Sequence, residues 1–80
     1  MNLEEYLAIP FVVEAWSEPT NGGWVCHAGL PELPECDLTG PHALEVFQRL
    51  DEQRIDAIIA RFQAGKFIPV PRAPLRTSPA

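Results

Sequence analysis

At the centre of the chain lies the segment Gly22-Gly23-Trp24-Val25-Cys26-His27-Ala28-Gly29-Leu30-Pro31-Glu32-Leu33-Pro34-Glu35-Cys36-Asp37-Leu38-Thr39-Gly40. It opens with Asn21-Gly22-Gly23, residues that tolerate positive φ and predict a tight reversal between two strands. Trp24 to Ala28 and Cys36 to Thr39 predict short strands. The residues between them, Leu30 to Glu35, contain two prolines and predict an irregular connection. The segment therefore predicts a small sheet that the rest of the chain pairs with and covers.

The residues before this segment predict the first strand, Phe11 to Trp16. Alternation places one apolar set on a single face, which we expect to be the core face: Phe11, Val13 and Ala15. Trp16 falls on the other face and has two possible roles. It either packs across the strands against Trp24 or contacts another molecule.

The residues after the segment predict one long helix. Between His42 and Ala64 there is no glycine or proline, and Gly65 stands where a helix end favours a left-handed residue. A helix of about 23 residues is roughly 34 Å long. Strands of five or six residues span only about 17–20 Å. We therefore expect the helix to overhang the sheet.

The apolar residues of this helix form two faces instead of one stripe. The first half supplies a face that can cover the sheet: Ala43, Val46, Phe47 and Leu50. The second half supplies a face rotated by roughly a third of a turn: Ile55, Ile58, Ile59 and Phe62. The second face requires either a kink near Asp51 to Gln53 or a second subunit. Asp51 either pairs locally with Arg54 at i,i+3 or sets specificity at an interface.

Length and charge limit the function classes. Eighty residues make one domain with a small core, and such domains often gain stability by oligomerising. The net charge of −5 disfavours nonspecific binding to nucleic acid or to an anionic membrane and favours a basic partner. No signal peptide and no apolar run long enough to span a membrane are present, so we expect a cytoplasmic protein with reduced thiols.

One set of residues invites a metal or nucleophile hypothesis: Cys26, His27, Cys36 and His42. Adjacent residues of a strand point to opposite faces, so Cys26 and His27 do not readily share an ion, and the spacing matches no structural zinc pattern. A Cys–His nucleophile pair would lack an orienting third group. Acidic residues around the sheet could serve a divalent-metal nuclease, but a solvated rim explains them as well. We expect no metal, no cofactor and no catalytic residue.

The segment Lys66-Phe67-Ile68-Pro69-Val70-Pro71 follows the helix. Prolines two apart leave both missing donors on one side of an extended segment. This favours an edge strand, or a strand added to a neighbouring molecule's sheet. We expect one domain over residues 1–71 and a flexible C-terminal tail over residues 72–80.

The ordered set of motifs resembles the HicB-type antitoxin domain of bacterial and archaeal toxin–antitoxin pairs. The resemblance covers roughly residues 6 to 71 and rests on these residues: Tyr6, Pro10-Phe11, Gly22-Gly23-Trp24-Val25, Pro31-Glu32-Leu33-Pro34-Glu35-Cys36, Gly40, Glu45 and Gly65-Lys66-Phe67-Ile68-Pro69-Val70-Pro71. The chain differs from the family pattern at Glu35, where glycine is usual, at Pro41-His42, and at Arg54 and Arg61, where apolar residues are usual.

The resemblance implies an α+β fold, partly RNase-H-like, with a mostly antiparallel sheet of three to four strands and the long helix across one face. It implies a non-catalytic role as inhibitor of a small basic HicA-like RNase toxin. Full-length members usually continue into a DNA-binding segment, whereas only nine residues follow Pro71. We therefore expect no DNA binding by this chain alone.

Two sets of candidate binding residues follow. The expected partner-binding residues are two aromatic anchors with acidic neighbours: Trp16, Trp24, Glu14, Glu18 and Glu32. The expected contacts of a homodimer, or of a higher homo-oligomer, come from the second helix face and the proline-rich segment: Ile55, Ile59, Phe62, Ile68 and Val70. The alternatives are a metal-dependent nuclease on an RNase-H-like sheet, and an orphan regulatory or scaffold domain whose partner is not a toxin.

Overall fold

The computed structural model describes residues 1–71 and shows an α+β arrangement. Its elements, in chain order, are α1 (Leu3–Leu7), β1 (Glu14–Thr20), β2 (Gly23–Leu30), β3 (Leu33–Gly40) and α2 (Ala43–Gln63). The three strands form one antiparallel sheet in the order β1-β2-β3. The predicted class, a small antiparallel sheet with one long helix on one face, is confirmed. The predicted tail, residues 72–80, lies outside the described residues.

The reversal between β1 and β2 is confirmed. Thr20 pairs with Gly23, and Gly23 takes the positive φ, +126°. The bounds of β1 differ from the prediction, because the strand starts at Glu14 instead of Phe11 and continues through Pro19 to Thr20. Proline is tolerated there because β1 is an edge strand, whose outward N–H positions need no partner within the sheet.

The irregular connection predicted for Leu30 to Glu35 is shorter in the structure. Leu30 pairs with Leu33, so the turn consists of Pro31 and Glu32 alone. Pro34 lies inside β3, the second edge strand of the sheet. The register shifts after Gly29, which pairs with Asp37, and this shift absorbs the extra residues of β3.

The long helix is confirmed almost to the residue. It runs unbroken from Ala43 to Gln63, and Gly65 follows with φ +66°. The N–H of Lys66 donates to the carbonyl of Arg61 at 2.9 Å, which closes the last turn. Val46 and Leu50 are buried against the sheet, as the first apolar face predicts, whereas Ala43 and Phe47 of that face are exposed.

The second apolar face of α2 is covered in part by the chain's own ends. Ile58 is fully buried, and Ile68 of the C-terminal segment joins the same core. Tyr6 of α1 packs edge-on against Phe62, with ring centroids 6.2 Å apart. The sequence predicted a kink or a second subunit as the cover of this face, whereas the structure shows a third source of cover, the two ends of the same chain.

The inner face of the sheet is the face that carries α2, and α2 packs on β3 and β2 but not on β1. Phe11 is buried as predicted. Val13 and Ala15, the other expected core residues, are exposed because no helix lies above them. Every residue of β1 is exposed.

Two further findings concern the described part of the chain. Residues 66–71 form no strand, so the edge strand predicted for them is not part of this sheet. Within residues 1–71, neither helix combines the length and the apolarity needed to cross a membrane.

Candidate protein-interaction face

The outer face of the sheet, opposite α2, is organised in rows of paired residues. One row runs from Glu14 through Gly29 to Asp37, and the next from Trp16 through His27 to Thr39. Since side chains alternate along a strand, the members of each row project from the same face. Glu18, also on this face, pairs with Val25.

His27 joins the three strands. One ring nitrogen, Nε2, lies 2.7 Å from Oε2 of Glu18 on β1, and the other, Nδ1, lies 2.9 Å from Oγ1 of Thr39 on β3. The indole ring of Trp16 stacks on the imidazole, with centroids 5.1 Å apart and planes 10° from parallel. The imidazole is therefore held on both edges and covered on one side.

Trp16 is consequently exposed but fixed. Its side chain remains 55% accessible while its ring is stacked on His27. Stacking limits the rotamers that Trp16 can populate, so a partner that binds it loses less conformational entropy. Tryptophan is among the residues enriched at the energetic centres of protein interfaces.

Of the two roles considered for Trp16, packing across the strands against Trp24 does not occur. Trp24 pairs with Pro19, lies on the inner face, and is 67% exposed beyond the helix. Thr20 and Gly23 close the turn, and counting back from this pair sets Trp16 opposite His27. The pairing of Trp16 with His27 could therefore be predicted from the sequence once the turn is placed at Asn21-Gly22.

The Glu18–His27–Thr39 chain superficially resembles a hydrolase triad, with a carboxylate, an imidazole and a hydroxyl in sequence. All three side chains stand on the open face of a sheet, where water screens charge that would develop in a reaction. We interpret these hydrogen bonds as cross-strand contacts that hold His27 in place and so orient Trp16.

The acidic candidates divide by position. Glu14 and Glu18 flank Trp16 on the outer face of β1 and are exposed. Glu32 lies in the turn between β2 and β3, and its Oε2 atom is buried without a hydrogen-bond partner. The structure thus brings Glu14, Trp16 and Glu18 together, and it places Glu32 and Trp24 elsewhere.

An open groove of about 550 Å³ lies between β1, the α1–β1 connection and α2. Its wall is mostly apolar and includes Val13, Ala15 and Phe47, with Asp51 and Arg54 at one side. Arg54 donates to Asp51 at 2.8 Å and to the carbonyl of Leu7 at 2.9 Å, which confirms the local pair predicted for Asp51.

A second ion pair joins α2 to β3. Arg61 binds both carboxylate oxygens of Glu35, at 2.8 and 2.9 Å. This hydrogen bonding holds the pKa of Glu35 below its ordinary value, and burial raises the pKa of the Cys36 thiol beside it. Cys26 and Cys36 are both buried free thiols.

The five expected dimer contacts lie in different environments. Ile55 and Ile59 are half-buried on α2, while Phe62 and Val70 are exposed, Phe62 by 41%. Ile68 is only 5% accessible and packs in the core. The structure therefore assigns Ile68 to the interior of the subunit instead of to a free surface.

The set Cys26, His27, Cys36 and His42 does not form one site, because Cys26 and Cys36 are buried while His27 is tied on the outer face. Residues 1–71 bring no three His, Cys, Asp or Glu side chains together in a way that could hold a metal ion. No protein-family model matched the chain, and searches of curated proteins and of solved structures found no match.

Proposed function

We propose that this chain is a non-catalytic protein-interaction domain that resembles a HicB-type antitoxin and neutralises a small basic RNase toxin. The observation that carries the proposal is Trp16, an exposed aromatic ring held by His27 between Glu14 and Glu18 on a strand with both faces open. An aromatic anchor flanked by negative charges suits a partner that carries positive charges around an apolar pocket.

Charge supports the same partner class. A net charge of −5 on this small domain accelerates encounter with a cationic surface, and salt slows that association. An RNase must carry a positive surface to bind RNA. An acidic domain that covers this surface would block access to the substrate without any chemistry of its own.

We also propose a homodimer formed through the part of α2 that the chain's own ends leave open. Phe62 and the half-buried Ile55 and Ile59 lie there, with exposed Phe67 and Val70 following the helix. Burying this apolar surface would stabilise a domain whose own core is small.

The inhibitory role predicts that the neighbouring reading frame encodes a small basic RNase, and co-expression with that RNase tests the role. The wild-type chain should restore growth and co-purify with the toxin. Trp16→Ala should slow growth again, while circular dichroism shows a folded domain. Leu44→Ala, which removes an exposed side chain on α2, is the matched control and should protect as well as the wild type. A toxin that stays fully active beside folded wild-type protein would refute the proposal.

A further inference from the structure

The outer edge of β1 is open for pairing. Within residues 1–71 the strand has a neighbour on one side only. Pro19 lacks an N–H, and a proline inside a strand places that position toward the open edge. Backbone groups alternate in direction along a strand, so Ala15 and Ser17 also present their N–H and C=O groups outward.

The opposite edge of the sheet is less suited to pairing. β3 carries a register shift between its pairs with Gly29 and Leu30, and it contains Pro34. An irregular register bends an edge strand away from pairing, whereas proline does not distinguish the two edges, because Pro19 lies in β1 just as Pro34 lies in β3. β1 instead pairs with β2 in a continuous register over all seven of its residues, Glu14–Thr20.

The two faces of β1 would select different side chains on an added strand. The outer face carries Glu14 and Glu18 around Trp16, and the inner face borders the apolar groove lined by Val13, Ala15 and Phe47. Residues directly opposite each other on neighbouring strands have Cβ atoms about 5 Å apart. A lysine or arginine on the outer face of the added strand would lie near Glu14 or Glu18, and an apolar residue on its inner face would lie against the apolar groove.

We propose that β1 captures an extended segment of its protein partner as a fourth strand, and that this segment alternates basic and apolar residues. The inference rests on the proposed function and adds the mode of binding, β-strand addition, together with the sequence pattern that is recognised. Main-chain hydrogen bonds to Ala15 and Ser17 supply affinity, and the alternation supplies specificity.

A second copy of β1 fits this edge poorly. Antiparallel self-pairing centred on Trp16 sets Glu14 of each copy opposite Glu18 of the other, and like charges directly opposite destabilise a sheet. Self-pairing centred on Ser17 sets Pro19 opposite Ala15, which removes a ladder hydrogen bond. The charge of β1 therefore favours a different, basic chain.

The probe is a capped ten-residue peptide that alternates lysine and valine. Two control peptides are a block peptide of the same composition and an alternating peptide of glutamate and valine. Titration followed by NMR should show binding of the alternating lysine peptide at least about tenfold tighter than that of either control, a difference of about 1.4 kcal/mol. Equal affinity for the alternating and block lysine peptides would overturn the proposal, since charge alone would explain binding.

A proline substitution tests the main-chain contacts. Ser17→Pro removes an outward N–H at a position equivalent to Pro19, so the sheet should persist while affinity for the alternating peptide falls at least about tenfold. Ser17→Ala keeps the amide and is the conservative comparison. Undiminished binding by folded Ser17→Pro would overturn strand addition.

Amide exchange in the wild-type chain keeps the test decisive if Ser17→Pro does not fold. Saturation with the alternating peptide should slow exchange at Ala15 and Ser17 at least about tenfold, because both amides enter hydrogen bonds. Unchanged exchange at both amides would overturn strand addition.

Toxin neutralisation by wild type and by folded Ser17→Pro alike would also overturn strand addition, but it would leave the proposed inhibitory function standing. If the chain binds the alternating peptide selectively but does not neutralise the toxin, strand addition is supported and the proposed toxin-neutralising function is refuted.

Discussion

Arg61 and Glu35 form a two-pronged ion pair, with Nη2 and Nε of the guanidinium donating to the two carboxylate oxygens at 2.8 and 2.9 Å. The remaining Nη1 donates to the carbonyl of Phe67 at 3.0 Å. One side chain thus connects the end of α2 to β3 and to the C-terminal segment. The Arg61 side chain therefore ties three parts of the chain together through one guanidinium group.

A double-mutant cycle should reveal the coupling between Glu35 and Arg61. Glu35→Gln and Arg61→Met should each lower the free energy of unfolding, and the double variant should lose less than the sum of the two. Because the pair is partly exposed, we expect a coupling energy of up to about 1 kcal/mol. Urea unfolding of the four proteins measures it, and additive losses would contradict the pairing.

The same pair predicts how stability depends on pH. Hydrogen bonding from Arg61 lowers the pKa of folded Glu35 below its ordinary value of 4.5. Its contribution is therefore complete above pH 4.5 and is lost as the pH falls through the folded pKa. The difference in unfolding free energy between wild type and Glu35→Gln should be constant at neutral pH and shrink below pH 4.5. A difference that grows on acidification would contradict this sign.

Gly40→Ala should destabilise the domain. A Cβ atom on Gly40 would lie 3.0 Å from Cγ2 of Val46, whose side chain is buried between α2 and the sheet. Overpacking of this kind costs about 1–3 kcal/mol. Val46→Ala makes room for the new methyl group, so it should cost less in the Gly40→Ala background than in the wild type. Thermal unfolding of the four proteins decides, and equal costs would show that the two sites are independent.

His27→Phe should separate ring stacking from hydrogen bonding. Phenylalanine can still stack on Trp16 but cannot bond Glu18 or Thr39, so Trp16 should keep a fixed environment at a small loss of stability. His27→Ala removes both effects and should free the indole ring. Near-ultraviolet circular dichroism in a Trp24→Phe background isolates the Trp16 signal. Equal loss of this signal in both variants would show that the hydrogen bonds, and not the stack, orient Trp16.

Light scattering at micromolar concentration should give about twice the 8.9 kDa chain mass. Phe62→Glu places a charge on the exposed part of the proposed interface, so it should shift the protein toward monomer. Leu44→Glu introduces the same charge at an exposed site nearer the start of α2 and should leave the mass unchanged. A wild-type mass of one chain would refute the dimer.

The helix and the first turn were predictable because their signals are local. The absence of glycine and proline up to Gly65 sets the extent of α2, and Asn21-Gly22-Gly23 marks the reversal. Strand limits were less predictable, because proline normally argues against a strand. Pro19 and Pro34 are accepted only because both belong to edge strands, and which strand is an edge is a property of the whole sheet.

The composition of the candidate face was only partly predictable. Glu14, Trp16 and Glu18 share a face by alternation alone, which the sequence shows directly. The contacts of His27 with Glu18 and Thr39 depend on the registers of two strand pairs. The exposure of Val13 depends on where α2 crosses the sheet, which no local pattern of residues determines.

The sheet order β1-β2-β3 has a consequence for how the chain is made. Each strand pairs with its neighbour in sequence, so loop closure is short and folding should be fast. During synthesis all three strands leave the ribosome before α2 does. Ala28 and Leu30 of β2 are buried in the folded domain, where α2 packs on β2, so this apolar face has no helix to cover it until α2 has also been synthesised.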